Sequence, residues 1–260
     1  MRSKFKLLSL FLLSIYFISC KTSPEIVESK PDYIELEQKK FYAFNEKLSQ
    51  PLIQKIRKIQ TTSTSFKGNF VMKIRSGKNL SESNVLKGSI DFQKATGRVK
   101  IQRMEPFFGM IVSTIEADKN SIFIKSAGQA PHKQTMGDIQ MIDPASGKTI
   151  TIPFPVIYYS ISLNFLDEFK QGTSFFSPTE NRVLVKTPEE DIYQYVFSDT
   201  GLEALEYKAN KKNVKAISRV TQKDKDNLHP PKEIGTRVTE LDKGVDIGII
   251  DIKYTKIIRE

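Results

Sequence analysis

Few side chains in this sequence are able to do covalent or metal chemistry, and their spacing limits what that chemistry is. There is one cysteine, Cys20, and there are two histidines, His132 and His229. A lone thiol serves as a nucleophile, as half of an intermolecular disulfide, as a small core residue or as a point of lipid attachment. The histidines lie in polar, proline-flanked settings, without metal-ligand spacing to each other or to a carboxylate cluster, so both read as surface residues. Asp224 and Asp226 lack the remaining oxygen ligands of a calcium loop. Glu189, Glu190 and Asp191 follow Pro188 and read as a solvated turn; paired carboxylates catalyse only where a site shifts their pKa. No G-x-S-x-G elbow, H-E-x-x-H helix or glycine-rich phosphate loop is present. The expectation is therefore a protein that is not an enzyme and needs neither cofactor nor metal.

The surroundings of Cys20 are more informative. Arg2, Lys4 and Lys6 precede an apolar run from Leu7 to Ile18, and the composition turns polar directly after the cysteine. That is the layout of a secretory signal, and the run is too short for a membrane span, which needs about 20 residues. The junction Phe17-Ile18-Ser19-Cys20 resembles the lipobox of bacterial lipoproteins. It departs from the strictest form, which has Leu three residues before the cysteine and Ala or Gly immediately before it. The resemblance implies that residues 1–19 are a signal peptide and that Cys20 is a lipidated anchor. One or more buried acyl chains would then hold the protein on a membrane, at roughly 0.8 kcal/mol per CH₂. Lys21 and Thr22 follow Cys20; in well-studied systems an Asp at the first of these positions retains a lipoprotein in the inner membrane. Its absence points to the outer membrane, with the leaflet open.

Residues 20–38 contain Pro24 and Pro31 and few aliphatics, and read as a flexible tether. Residues 39–260 are long enough for one domain with a sizeable core. Without Arg2, Lys4 and Lys6 the 40 basic residues become 37, against 30 acidic ones, a net charge near +7. Outside the cytoplasm such a surface suits anionic headgroups or acidic partners rather than nucleic acid. The densest basic stretch, residues 205–227, has its lysines at strand-like spacing and carries no nucleic-acid motif, so it also reads simply as a solvated sheet face.

The elements that would position any site follow from periodicity. Phe41, Phe44, Leu48, Leu52, Ile56 and Ile59 recur at three and four, one face of a helix. Pro51 argues that the firm helix starts near Gln50, and Lys55, Arg57 and Lys58 in its last turns suit the helix dipole. From Thr61 the period becomes two, with turn residues between runs, which predicts a meander of antiparallel strands. In the segment 153–172 periodicity alone does not decide: Ile157, Tyr159, Ile161, Leu163 and Phe165 alternate, while Ile157, Ile161, Phe165 and Phe169 are spaced by four. A helix from about Val156 to Phe169, opened by Pro155 and closed by Gly172, is favoured. It would be apolar almost all round and therefore buried between two surfaces. Alternation then resumes to the end, for roughly eleven strands in all.

This order resembles the LolA/LolB superfamily, the open half-barrel of lipoprotein carriers and receptors. Two stretches carry the likeness. EPFFGMIVSTIEADKNSIFI (105–124) is similar to the family's proline–apolar–glycine step followed by two strands. IPFPVIYYSISLNFLDEFKQG (152–172) is similar to its lid-helix segment. The resemblance implies an α+β, mainly antiparallel fold: a strongly curved half-barrel with an N-terminal helix and an internal lid helix, whose cavity takes the acyl chains of lipoproteins or lipids. Phe107 and Phe108 are the implied membrane-contact loop. Phe70, Met72, Ile90, Phe92, Val99 and Ile101 are the expected inward residues, with Ile157, Ile161, Phe165 and Leu166 on the lid. Two functions follow. One is a monomeric, lipid-anchored envelope protein that binds acyl chains for lipoprotein or lipid transfer to the outer membrane. The other is a surface or periplasmic lipoprotein with a packed core that binds an acidic protein or polysaccharide through its basic face, since a solid core shows the same alternation.

Overall fold

In the computed structural model, the residues described are 41–43, 46–76, 80–105, 109–142, 149–165, 169–170, 172–224, 226 and 228–260. The elements, in chain order, begin with β1 (Tyr42–Ala43), α1 (Glu46–Thr62), β2 (Phe66–Ser76), β3 (Glu82–Gln93), β4 (Arg98–Met104), β5 (Ile111–Ala117) and β6 (Ser121–Ser126). They continue with β7 (His132–Thr135), β8 (Asp138–Ile142), β9 (Thr149–Pro153), α2 (Phe154–Ser162), β10 (Ser174–Ser177) and β11 (Arg182–Lys186). The last are β12 (Ile192–Phe197), β13 (Leu202–Ala209), β14 (Val214–Gln222), β15 (Glu233–Glu240) and β16 (Val245–Arg259).

Fourteen strands make one antiparallel sheet in the order β1-β10-β11-β12-β13-β14-β15-β16-β2-β3-β4-β5-β6-β7, and β8 and β9 form a separate hairpin. Apart from β1 on β10 and β16 on β2, every neighbour in the large sheet is also a neighbour in sequence. The longest strands, β16, β3 and β2, sit together in the middle, and the two edges are strands of two and four residues. Short edges leave few unpaired backbone groups for another chain to pair with. The described strands number sixteen rather than about eleven; β1, β7 and β10 have two to four residues each, too few for alternation to reveal.

The sheet is strongly curved and open. Five register shifts bend its strands, at Arg103/Met104, Val196/Phe197, Val220/Gln222, Val238/Thr239 and Tyr254/Lys256, since a bulge inserts a residue on one strand and increases local bend and twist. The curvature also follows from contact geometry. Helix α2 packs on β4 and on β13 and β14. In sheet order β13 lies six steps from β4, roughly 29 Å across a flat sheet at about 4.8 Å per step. A helix about 10 Å wide touches both only if the sheet wraps around it.

Helix α1 starts at Glu46, earlier than expected. Pro51 sits inside it on the exposed side, while Leu52, Ile56 and Ile59 are buried. Packing of that stripe outweighs the local cost of proline, about 3 kcal/mol in a helix interior. Leu48, expected on the apolar face, is 62% exposed. Phe44 lies outside the described residues, and Phe41 precedes the helix. No basic residue lies in the last turn. The cation there is Lys94, from the β3–β4 turn, whose Nζ donates to Thr61 O at 3.0 Å and Ser63 O at 2.5 Å.

The pairing of β2 with β3 shows how tightly the middle of the sheet is built. Gly88 stands opposite Phe70, and a Cβ added there would lie 2.5 Å from both Gln102 O and Phe70 Cζ. Gly88→Ala is therefore expected to destabilise the fold by about 1–3 kcal/mol, the usual cost of overpacking. Gly201→Ala, with nothing within 4 Å of its added Cβ, should stay within about 0.5 kcal/mol. Urea midpoints of the two variants check this, and equal midpoints would contradict it.

Candidate functional site

The site is built around α2. All nine of its residues are buried, as expected of a helix apolar on every side. It ends earlier than the sequence suggests, at Ser162 rather than near Phe169. Leu163 turns into the left-handed region at φ +51° and donates its N–H to Tyr159 O at 3.1 Å, and Asn164 N–H donates to Ser162 Oγ at 3.2 Å. Beyond that cap Phe165 joins an aromatic cluster with Tyr195, Phe197 and Phe169, at centroid distances of 5.0, 5.5 and 5.8 Å. Rings held by the sheet take the chain out of the helix.

The polar groups of the buried helix find partners on several sides. Tyr158 donates its hydroxyl to Gly97 O in the β3–β4 turn at 2.9 Å. A buried hydroxyl chain, Thr236 Oγ1–Ser218 Oγ–Ser160 Oγ, ends on Val156 O, with steps of 3.2, 3.2 and 2.7 Å. At the C-terminal end Gln60 Nε2 of α1 donates to Leu163 O, and His229 Nε2 lies 2.6 Å from Ile161 O. A carbonyl only accepts, so His229 carries its proton on Nε2. These bonds satisfy carbonyls that any helix end leaves free.

Between α2 and the sheet lies a cavity of about 50 Å³. Phe70, Met72, Ile90, Ile101, Ile157 and Ile161 line it. So do six residues that the sequence did not single out: Ile115, Ile139, Ile152, Phe154, Ile252 and Tyr254. Ile252 and Tyr254 share one parity in the alternating run of β16, a signal visible in the sequence. Ile139 and Ile152 come from the β8–β9 hairpin, and only tertiary folding brings that hairpin over the chamber. Phe92 and Val99 are buried in the core without lining the cavity. Cys20, Phe107, Phe108 and Leu166 lie outside the described residues. A larger hollow of about 440 Å³ lies along β4, β5 and β6, but it is a surface groove of mixed lining, with Lys100, Gln102, Glu116 and Lys125 beside Ile111, Val112 and Phe123.

Two readings of titratable residues need correction. His229 is not a surface residue: its ring packs edge-on to Phe66 at 5.9 Å and holds the end of α2. Burial pushes its pKa down to about 4; Arg259 acts in the same direction and the hydrogen bond to Ile161 opposes both. Asp191 is not simply a solvated turn residue, because it accepts the Tyr207 hydroxyl at 2.8 Å. The Tyr207 hydroxyl is pushed well above the usual tyrosine range, by burial first and by Asp191 second. Among the described residues no cluster of His, Cys, Asp or Glu is arranged to hold a metal ion. No helix among them is long and apolar enough to cross a membrane.

The His229 geometry gives a pH dependence. A histidine held neutral in the fold stabilises fully above its unfolded pKa of about 6.5, and that contribution is lost as pH falls through the folded value. The thermal midpoint of the wild type should therefore drop between about pH 6.5 and 4. His229→Gln, which keeps a donor for Ile161, should flatten that part of the profile. Parallel profiles for the two proteins would reject the assignment.

No protein-family model matches the sequence, and no curated protein matches it. Solved structures do match in fold. A LolA superfamily protein from Nitrosomonas europaea superposes with a TM-score of 0.51 at 10% identity, over 82% of this chain and 93% of that one. A DUF1329 family protein from Desulfovibrio piger matches with a TM-score of 0.44 at 12% identity, over 82% and 92%. A domain from Vibrio parahaemolyticus, provisionally named an outer membrane lipoprotein-sorting protein, matches with a TM-score of 0.42 at 7% identity, over 82% and 93%. The curved open sheet around a buried helix is thus the fold of a LolA superfamily structure.

Proposed function

We propose that this chain is a lipid-anchored envelope protein that holds acyl chains between α2 and the curved sheet, in the transfer of lipoproteins or lipids to the outer membrane. The observation that carries this reading is the chamber itself, a space lined almost wholly by apolar side chains beneath a helix that is buried on all sides. It offers no catalytic constellation, and its mechanism is binding without a covalent step. The likeness to a LolA superfamily structure supports the reading by analogy of fold, which hosts more than one function.

As it stands the chamber is too small for its guest. About 50 Å³ is less than the roughly 150 Å³ that admits benzene in an engineered apolar cavity. An acyl chain therefore enters only when α2 moves outward as a lid. Pro153 and Pro155 at one end and the left-handed Leu163 at the other bound the segment that swings. In this reading residues 1–19 are removed, Cys20 is the anchor, and residues 20–38 are the tether. Phe107 and Phe108 touch the membrane. Met110 and Ile111, 61% and 51% exposed beside them in sequence, support an apolar tip there.

Docking of an acidic partner on residues 205–227 is less well supported. Lys211, Lys212, Lys215 and Lys223 of that stretch lie 2.6–3.5 Å from Glu190, Asp138, Glu206 and Glu203. Internal pairing leaves less free positive charge for a partner.

Native mass spectrometry of the full chain, released from a steroid-based detergent that has no acyl chain, tests the reading. Near-stoichiometric acyl species are expected to co-purify. A clean apo mass, together with failure to bind a fluorescent fatty-acid probe, would overturn it. Cys20→Ser should move the protein from the membrane to the soluble fraction. Replacing Phe107 and Phe108 together by Ser should slow transfer to vesicles without lowering acyl occupancy.

A further inference from the structure

One residue with a polar side-chain atom lines the chamber. Of the twelve lining residues, eleven present only hydrocarbon or a thioether, and the twelfth is Tyr254. Tyr254 has no solvent exposure, and its hydroxyl has no hydrogen-bond partner. An unsatisfied buried hydroxyl costs about 1–3 kcal/mol, and native structures rarely retain one without a reason. Phenylalanine would fill the same space on β16 without that cost. The ring is firmly held. It pairs in register with Phe70, meets Phe66 edge-on at 6.1 Å, and packs against Gly68, where any Cβ would lie 3.5 Å from the ring. The register shift between Tyr254 and Lys256 begins at this residue, and bulges are a common means of re-aiming a side chain beside a site.

A buried neutral tyrosine without a partner keeps a proton to donate, and a group that accepts it would satisfy the hydroxyl. No Lys, Arg or His lines the chamber, and an unpaired carboxylate is strongly disfavoured there. The acceptor that suits the wall is therefore uncharged. We propose that Tyr254 is a specificity-determining residue whose hydroxyl donates to the uncharged carbonyl oxygen of an acyl ester or amide lodged under α2. The site then takes such acyl groups in preference to bare hydrocarbon or a free carboxylate. This rests on the acyl-binding reading above.

The test compares the full-length wild type with Tyr254→Phe against four probes delivered from cyclodextrin: hexadecane, methyl palmitate, N-methyl palmitamide and palmitate. The wild type is expected to bind the ester or the amide about tenfold more tightly than hexadecane, as one hydrogen bond allows. The ester and amide arms show which linkage is preferred. Tyr254→Phe should bind hexadecane as the wild type does, lose the preference, and melt at the same temperature or higher. A preference that survives in Tyr254→Phe would overturn the proposal, as would an equal loss of hexadecane binding, which marks the ring rather than the hydroxyl. Wild type that binds all four probes alike would leave the acyl chamber standing and remove this role for Tyr254. Wild type that binds none would remove the chamber reading as well.

Discussion

A nine-residue helix with no exposed residue is the constraint on which the rest depends. An amphipathic helix needs one apolar wall, but α2 is apolar on every side and needs cover all round. A flat sheet covers one side only. The strands from β13 to β4 must therefore bend until both ends of the arc reach the same helix, and the β8–β9 hairpin, which also meets it, adds cover from outside the large sheet. The bulges and the long central strands follow from that requirement. Gly88, which leaves room for the Phe70 ring, belongs to the same tight packing.

Burying a helix also buries its ends, and backbone carbonyls deprived of water must be paired. Here the carbonyls of Leu163 and Ile161 are met by Gln60 from the N-terminal helix and His229 from the segment before β15, while the hydroxyls of Tyr158 and Ser160 reach Gly97 in an early turn and Ser218 on a late strand. His229 is fixed in turn by Arg259, whose Nε donates to its carbonyl and whose Nη2 meets Asp224. The helix is held mainly by apolar contact and by a short set of hydrogen bonds.

The charge pattern fits the same picture. Lysines and arginines are numerous, yet many are paired across strands, as Arg75 is with Asp251 and Arg237 with Asp246. The outer face thus carries a mixed lattice of charge while the inner face is nearly free of it. Beneath α2, eleven of the twelve residues that line the chamber carry no hydroxyl or charge, and the twelfth is Tyr254.

The sequence by itself determined the antiparallel meander, the buried character of the segment after Pro153, and half of the residues that line the chamber. Alternation and all-round apolarity are local properties and survive without knowledge of the partner. The sequence did not determine where α2 ends, because its stop is set by a left-handed cap and an aromatic cluster supplied by β12. It misread His229 and Asp191 because their partners, Ile161 and Tyr207, are distant in the chain. The strands of two to four residues were hidden by their length. Only the tertiary structure decided that the β8–β9 hairpin faces the chamber and that Tyr254 has no partner there, because both are relations between segments that share no local pattern.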